Sequence, residues 1–112
     1  MAKPLFKNYT FEFDKNEKKF LLSFCKTILK QISADDKFYA DVRSFNSIVD
    51  KLNTHDYEIK FTKEEKTKLG FRLKENVDHL EKQIKSSGFL KRWLYRSAYN
   101  QYKVLLDKYF SN

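Results

Sequence analysis

Hydrophobic and polar positions along the chain alternate between two periods, and the switches and breaks outline six elements. "YTFEFD" sets Tyr9, Phe11 and Phe13 against Thr10 and Glu12, the period of two of a half-buried strand. Asp14 and Glu17 follow as a capping box, in which each side chain satisfies a free amide of the helix start. The spacing then predicts a helix over 15–32, with Phe20, Leu21, Phe24, Cys25, Ile28, Leu29 and Ile32 on one broad inward face.

"SADD" breaks that pattern and offers Ser33 or Asp35 as the next cap. Phe38, Val42, Phe45, Val49 and Leu52 recur at steps of four and three, which predicts a second helix to about residue 53. After the loop "NTHD", "YEIKF" alternates again, and Thr62 with Glu65 makes a second capping box. A third helix over 63–86 carries a narrow stripe of Leu69, Leu73, Val77, Leu80 and Ile84. Charges four apart in the favourable order, Glu64 with Lys68, Asp78 with Lys82 and Glu81 with Lys85, mark its outer faces. "SSG" closes it, with Gly88 suited to a left-handed cap, and a fourth helix is expected over 89–110.

The predicted architecture is mainly α: a small four-helix bundle with two short accessory β-strands, expected to pair because a lone strand leaves its backbone groups unsatisfied. At 112 residues a single domain over 1–112 is expected, with residues 1–8 as a loosely ordered N-terminal segment. A possible strand-helix-helix repeat is also visible. "YTFEFDKNEKK" and "YEIKFTKEEKT" share Tyr, Phe, Lys, Glu and Lys at five aligned positions, and "RSFN" at Arg43 is echoed by "RSAYN" at Arg96 with one inserted residue. Duplication would explain the match; so would chance, since Lys, Glu and Phe abound here.

Helix 4 holds the least ordinary composition, "LKRWLYRSAYNQYKVLLDKYF". Wound at 3.6 residues per turn it separates into three stripes. Leu90, Trp93, Leu94, Ser97, Ala98, Gln101, Val104 and Leu105 form the greasiest and are the expected core face. Tyr95, Tyr99, Tyr102, Leu106 and Tyr109 form a second, and Arg92, Arg96, Asn100, Lys103 and Asp107 a third beside it. The tyrosines either pack against a second neighbour with their hydroxyls at the edge, or make an exposed Tyr and Arg surface of the kind enriched at interfaces.

Charge places the same helix in view. Lysine and arginine exceed acids by 8, and by segment the balance is +4 over residues 1–34, −2 over 35–62, 0 over 63–81 and +6 over 82–112. Because 19 of the 23 basic residues are Lys, in a chain also rich in Asn, Phe and Tyr, part of the excess reflects the codon usage of an AT-rich genome. The concentration at the C-terminal end is a local feature, and it favours an anionic partner.

Little in the sequence suggests catalysis. Gly70 and Gly88 stand alone, so no phosphate loop can form, and neither His55 nor His79 has a companion at metal-ligand spacing. Cys25 lies on an apolar face, where a thiol behaves as a small hydrophobe with a raised pKa. The pairs Asp35 with Asp36 and Glu64 with Glu65 stand at helix starts, where carboxylates stabilise the dipole. No cofactor, metal or small-molecule substrate is implied.

The sequence therefore predicts a non-catalytic cytoplasmic binding or regulatory protein that engages a protein partner, or its own copy, through the C-terminal helix. Arg92, Tyr95, Arg96, Tyr99, Tyr102, Lys103 and Tyr109 are the candidate contacts. The alternative is non-sequence-specific RNA or single-stranded DNA binding by the same helix, with lysines on phosphates. A helix-turn-helix reading is disfavoured because helix 2 carries Asp35, Asp36, Asp41 and Asp50, and a membrane because tyrosines interrupt the greasy and cationic faces. Small basic bundles of this format occur among bacterial and phage accessory proteins.

Overall fold

The computed structural model describes residues 8–110. Its elements follow the order β1 (Asn8–Glu12), α1 (Lys15–Ile32), a 3-10 turn (Asp36–Phe38), α2 (Tyr39–Leu52), β2 (Glu58–Thr62), α3 (Lys63–Ser86) and α4 (Phe89–Leu105), which runs on as a π-helical turn over Leu106–Phe110. The protein is thus mainly α, four helices with a two-stranded antiparallel sheet, as the periodicity predicts. Apart from Asn8, which opens β1, the N-terminal segment expected to be loosely ordered lies outside the described residues.

Packing divides the chain into two compact units, one ending at Lys68 and the other beginning at Leu69. In the first, β1 and β2 pair antiparallel in a register that sets Tyr9 opposite Phe61, Phe11 opposite Ile59 and Glu12 opposite Glu58. Alternation sends Phe11, Ile59 and Phe61 inward and leaves Thr10, Glu12, Glu58, Lys60 and Thr62 outside. Phe11 and Ile59 are also the matching positions of the two similar sequence segments, so the two copies of the strand pair about a local two-fold.

Phe11, Phe13 and Phe61 form one aromatic cluster, with ring centroids 5.4 to 6.3 Å apart. Over it pack Leu21, Phe24, Cys25, Ile28 and Ile32 of α1, and Phe45, Ile48 and Leu52 of α2, all buried. Ile48 is wholly buried yet absent from the stripe read along helix 2, because that stripe stepped from Phe45 to Val49 and missed the residue between them on the same face. Burial pushes the Cys25 thiol up to about 12, so it stays protonated and unreactive near neutrality.

Both capping boxes form. Asp14 accepts from the Glu17 amide at 2.7 Å while Glu17 accepts from the Asp14 amide at 2.9 Å. Thr62 and Glu65 repeat the exchange at 3.1 and 2.8 Å. The second box is the more heavily used, since Glu65 is only 5% exposed and also takes a 2.5 Å ion pair from Lys51. Burial would raise the Glu65 carboxyl, but hydrogen bonds from Lys51, Ser47 and the Thr62 amide outweigh it and hold the group below its ordinary value. Beside it Lys68 joins Asp41 at 3.0 Å to Glu64 at 2.9 Å and donates to Ser44 at 3.3 Å.

One open alternative is settled and two local expectations change. Asp35, and not Ser33, accepts from the Lys37 amide, and it starts the 3-10 turn that precedes α2. Asp78 pairs with Lys74 at 3.6 Å, whereas Glu64 with Lys68 and Glu81 with Lys85 pair as read. Gly88 does not close α3 in a left-handed conformation. It has φ −69° and ψ 169°, an extended residue at the N-terminal cap of α4.

Candidate docking surface on the C-terminal helix

In the second unit Leu69, Leu73 and Val77 of α3 are buried, and Leu105 is the buried residue of α4. Leu80 and Ile84 continue the α3 stripe half-buried. The stripe is narrow and has Asn76 beside it, so its complement must be apolar in the middle and polar at the edge. Tyrosine meets that description.

The structure turns α4 accordingly. Tyr95, Ala98, Tyr99, Tyr102, Leu106 and Tyr109 are all half-buried. Tyr102 shares a hydrogen bond with Asn76, and burial, ahead of that bond, raises its phenol. Phe110 comes within 3.5 Å of the space a Cβ on Gly70 would take, so glycine lets the end of the chain approach α3.

The face expected to be core is therefore the outer one. Phe89 is 87% exposed, Leu90 79%, Trp93 68% and Leu94 57%, and Val104 is exposed too. Ser97 and Gln101 also face outward, and only Ala98 and Leu105 of that stripe are covered. Hydropathy ranks Leu and Trp above Tyr, and that ranking misassigned the inner face.

Of the residues singled out from sequence, Arg92 and Arg96 are at the surface. Arg92 donates to the Ser87 carbonyl at 3.3 Å, which steadies it beside the start of the helix. Lys103 is ion-paired with Asp107 at 3.0 Å, and that bond leads the causes that raise its ammonium above the ordinary value. Tyr95, Tyr99, Tyr102 and Tyr109 are turned inward and serve the packing of this unit. The structure so brings Arg92 and Arg96 beside an apolar group, Phe89, Leu90, Trp93 and Leu94, of which the last three are expected from the sequence to be core.

A comparison within the chain sets this face against the equivalent face of α2. With Phe45 of α2 set on Tyr99 of α4, as in the "RSFN" and "RSAYN" echo, Asp41, Ser44, Phe45, Ile48 and Leu52 stand with Tyr95, Ala98, Tyr99, Tyr102 and Leu106, all covered. On the outer side, Asp35, Asp36, Ala40 and Asp50 stand where α4 carries Phe89, Leu90, Leu94 and Val104, and Tyr39, itself 67% exposed, stands where α4 carries Trp93. The outer face of α2 is the more polar of the two. A contiguous exposed apolar cluster calls for an account that surface hydrophobics scattered singly do not.

An exposed Trp93 contributes little to folding. Trp93→Ala is expected to cost under about 1 kcal/mol in a denaturant titration, against several for a core tryptophan. As Trp93 is the chain's single tryptophan, its emission reports this face alone and should be readily quenched by iodide in the free protein.

Among the described residues no group of three or more His, Cys, Asp or Glu side chains could hold a metal ion, and no helix is long and apolar enough to cross a membrane. No protein-family model, curated protein or solved structure matches the chain.

Proposed function

We propose that this is a non-catalytic binding or regulatory protein whose α4 outer face docks an acidic segment of a protein partner. The observation that carries the reading is the exposure of Trp93 with Leu90 and Leu94 on a helix whose flanks carry Arg92 and Arg96. Trp and Arg are the residue types that dominate interface energetics when a partner desolvates them. Carboxylates are the natural complement, since residues 82–112 hold seven basic side chains and a single acid, Asp107.

The same charge disfavours a second copy seated on this face. Two α4 surfaces face to face would bring Lys91, Arg92 and Arg96 of both chains together with no carboxylate between residues 82 and 106. Membrane docking suits the face less well, because Ser97, Asn100 and Gln101 interrupt its apolar length after two turns.

Arg92→Glu with Arg96→Glu is expected to leave thermal unfolding unchanged and to abolish the partner complex, and Trp93→Ala to weaken it by more than about tenfold. Loss of cooperative unfolding in the double reversal would make those arginines structural. Labelled RNA or single-stranded DNA bound with a log-log salt slope near about −3 to −4, and released by the same reversal, would assign the face to phosphates instead.

A further inference from the structure

A separate feature lies in the first unit, where the start of α1 meets the loop that leads into β2. An open cleft of about 360 Å³ is floored by Phe13, Leu22 and Leu52, and Phe13 and Leu52 are almost fully buried. Its rim carries Lys15, Lys18 and Lys19, and its far wall is the loop from Asn53 to Tyr57.

Lys18 builds the cleft. Its ammonium donates to the Thr54 carbonyl at 2.5 Å and to the Asp56 carbonyl at 2.9 Å, tying the loop to α1 across 36 and 38 residues of sequence. Those acceptors are neutral, so the clip leaves the lysine charge in place. Lys15 and Lys19, four positions apart on the first turns of the helix with Lys18 between them, have no carboxylate partner among the described residues. The Asp56 side chain is the acid lining the cleft.

A helix N-terminus is the positive end of the dipole, and three ammonium groups there repel it and each other, with Asp14 at the cap and Glu17 in the first turn as the acids that offset them. An anion between Lys15 and Lys19 would relieve the repulsion that remains. At the mouth, Tyr57 is 83% exposed, with its ring available for stacking. An apolar floor of buried side chains with a few convergent charges, at this volume, is the usual form of a small-molecule site.

We infer that the cleft binds an aromatic phosphate of mononucleotide size, its ring over Phe13 and Leu22 beside Tyr57 and its phosphate between Lys15 and Lys19. A dianionic phosphate suits paired ammonium groups better than a single carboxylate does. The source is either a free nucleotide or the phosphorylated end of a nucleic-acid strand.

The test is an amide NMR titration of the full chain with adenosine monophosphate, with adenosine and inorganic phosphate as controls. Saturable shifts confined to residues 13–22 and 52–57 are expected, weakened at least about tenfold by Lys15→Glu with Lys19→Glu and similarly by omission of the phosphate. A 5′-phosphorylated pentathymidylate that binds more tightly than the mononucleotide would make a strand end the source; equal or weaker binding would make it the free nucleotide. Arg92→Glu with Arg96→Glu should leave this titration untouched, which separates the cleft from the α4 surface. Absence of saturation by about 10 mM, or identical shifts in the Lys15 and Lys19 variant with its spectrum otherwise native, would overturn the inference.

Discussion

Phe61→Ala is expected to destabilise the protein by about 3 to 5 kcal/mol, the range for emptying a buried aromatic site. Phe61 is fully buried, stands opposite Tyr9 in the sheet and touches the rings of both Phe11 and Phe13. Its loss opens a cavity where the sheet meets the helices, and among the described residues no third strand holds the register while the site collapses. The matched control is Trp93→Ala, a larger truncation with an expected cost under about 1 kcal/mol. Guanidinium titrations of the two variants check the pair. Equal losses would mean that Trp93 is core and that α4 faces the other way.

The second large effect is at Glu65, where three roles converge on one carboxylate. It accepts the Thr62 amide at 2.8 Å, which closes the capping box at the start of α3, pairs with Lys51 at 2.5 Å, and takes a hydrogen bond from Ser47. Glu65→Ala leaves the Lys51 ammonium and a backbone donor without a partner, and a loss of about 3 kcal/mol is expected. The pH dependence has a defined sign. A carboxyl held below its ordinary 4.5 stabilises the fold at pH values above that figure, and the contribution falls away as pH drops through the lower folded value. Wild-type stability should therefore decline on the acid side of about pH 4.5 more steeply than that of Glu65→Gln. Parallel acid limbs for the two proteins would show that folding does not lower the Glu65 carboxyl.

Much of the fold is legible in the sequence because its determinants are local. The two capping boxes require residues only three apart, and they fix the starts of α1 and α3 where they are predicted. Strand pairing is legible too, because Phe11, Ile59 and Phe61 alternate with charged residues and one register puts all three inward. The orientation of α4 is different. Its wheel offers two faces able to pack, and which one wins depends on the shape and polarity of α3: a narrow leucine stripe edged by Asn76 takes tyrosines, and leaves Leu90, Trp93 and Leu94 outside.

A usable signal was nevertheless in the chain. The inserted residue that aligns "RSFN" with "RSAYN" sets Tyr99 on Phe45, a core residue of α2, and carries Tyr95, Tyr102 and Leu106 onto covered positions too. Hydropathy alone points the other way. The cleft beside Lys18 had no counterpart signal, since its wall is a loop 36 residues distant that only the fold brings to α1.

The docking role of α4 is tested most directly by photo-crosslinking from position 93 in the cells that make the protein, with position 74 on α3 as an equally exposed control. The account predicts a saturable crosslink from 93, and not from 74, into an acidic segment of one protein, abolished when Arg92→Glu and Arg96→Glu are added. Crosslinks of similar yield and partners from both positions, or a product at 93 that survives the charge reversal, would contradict it.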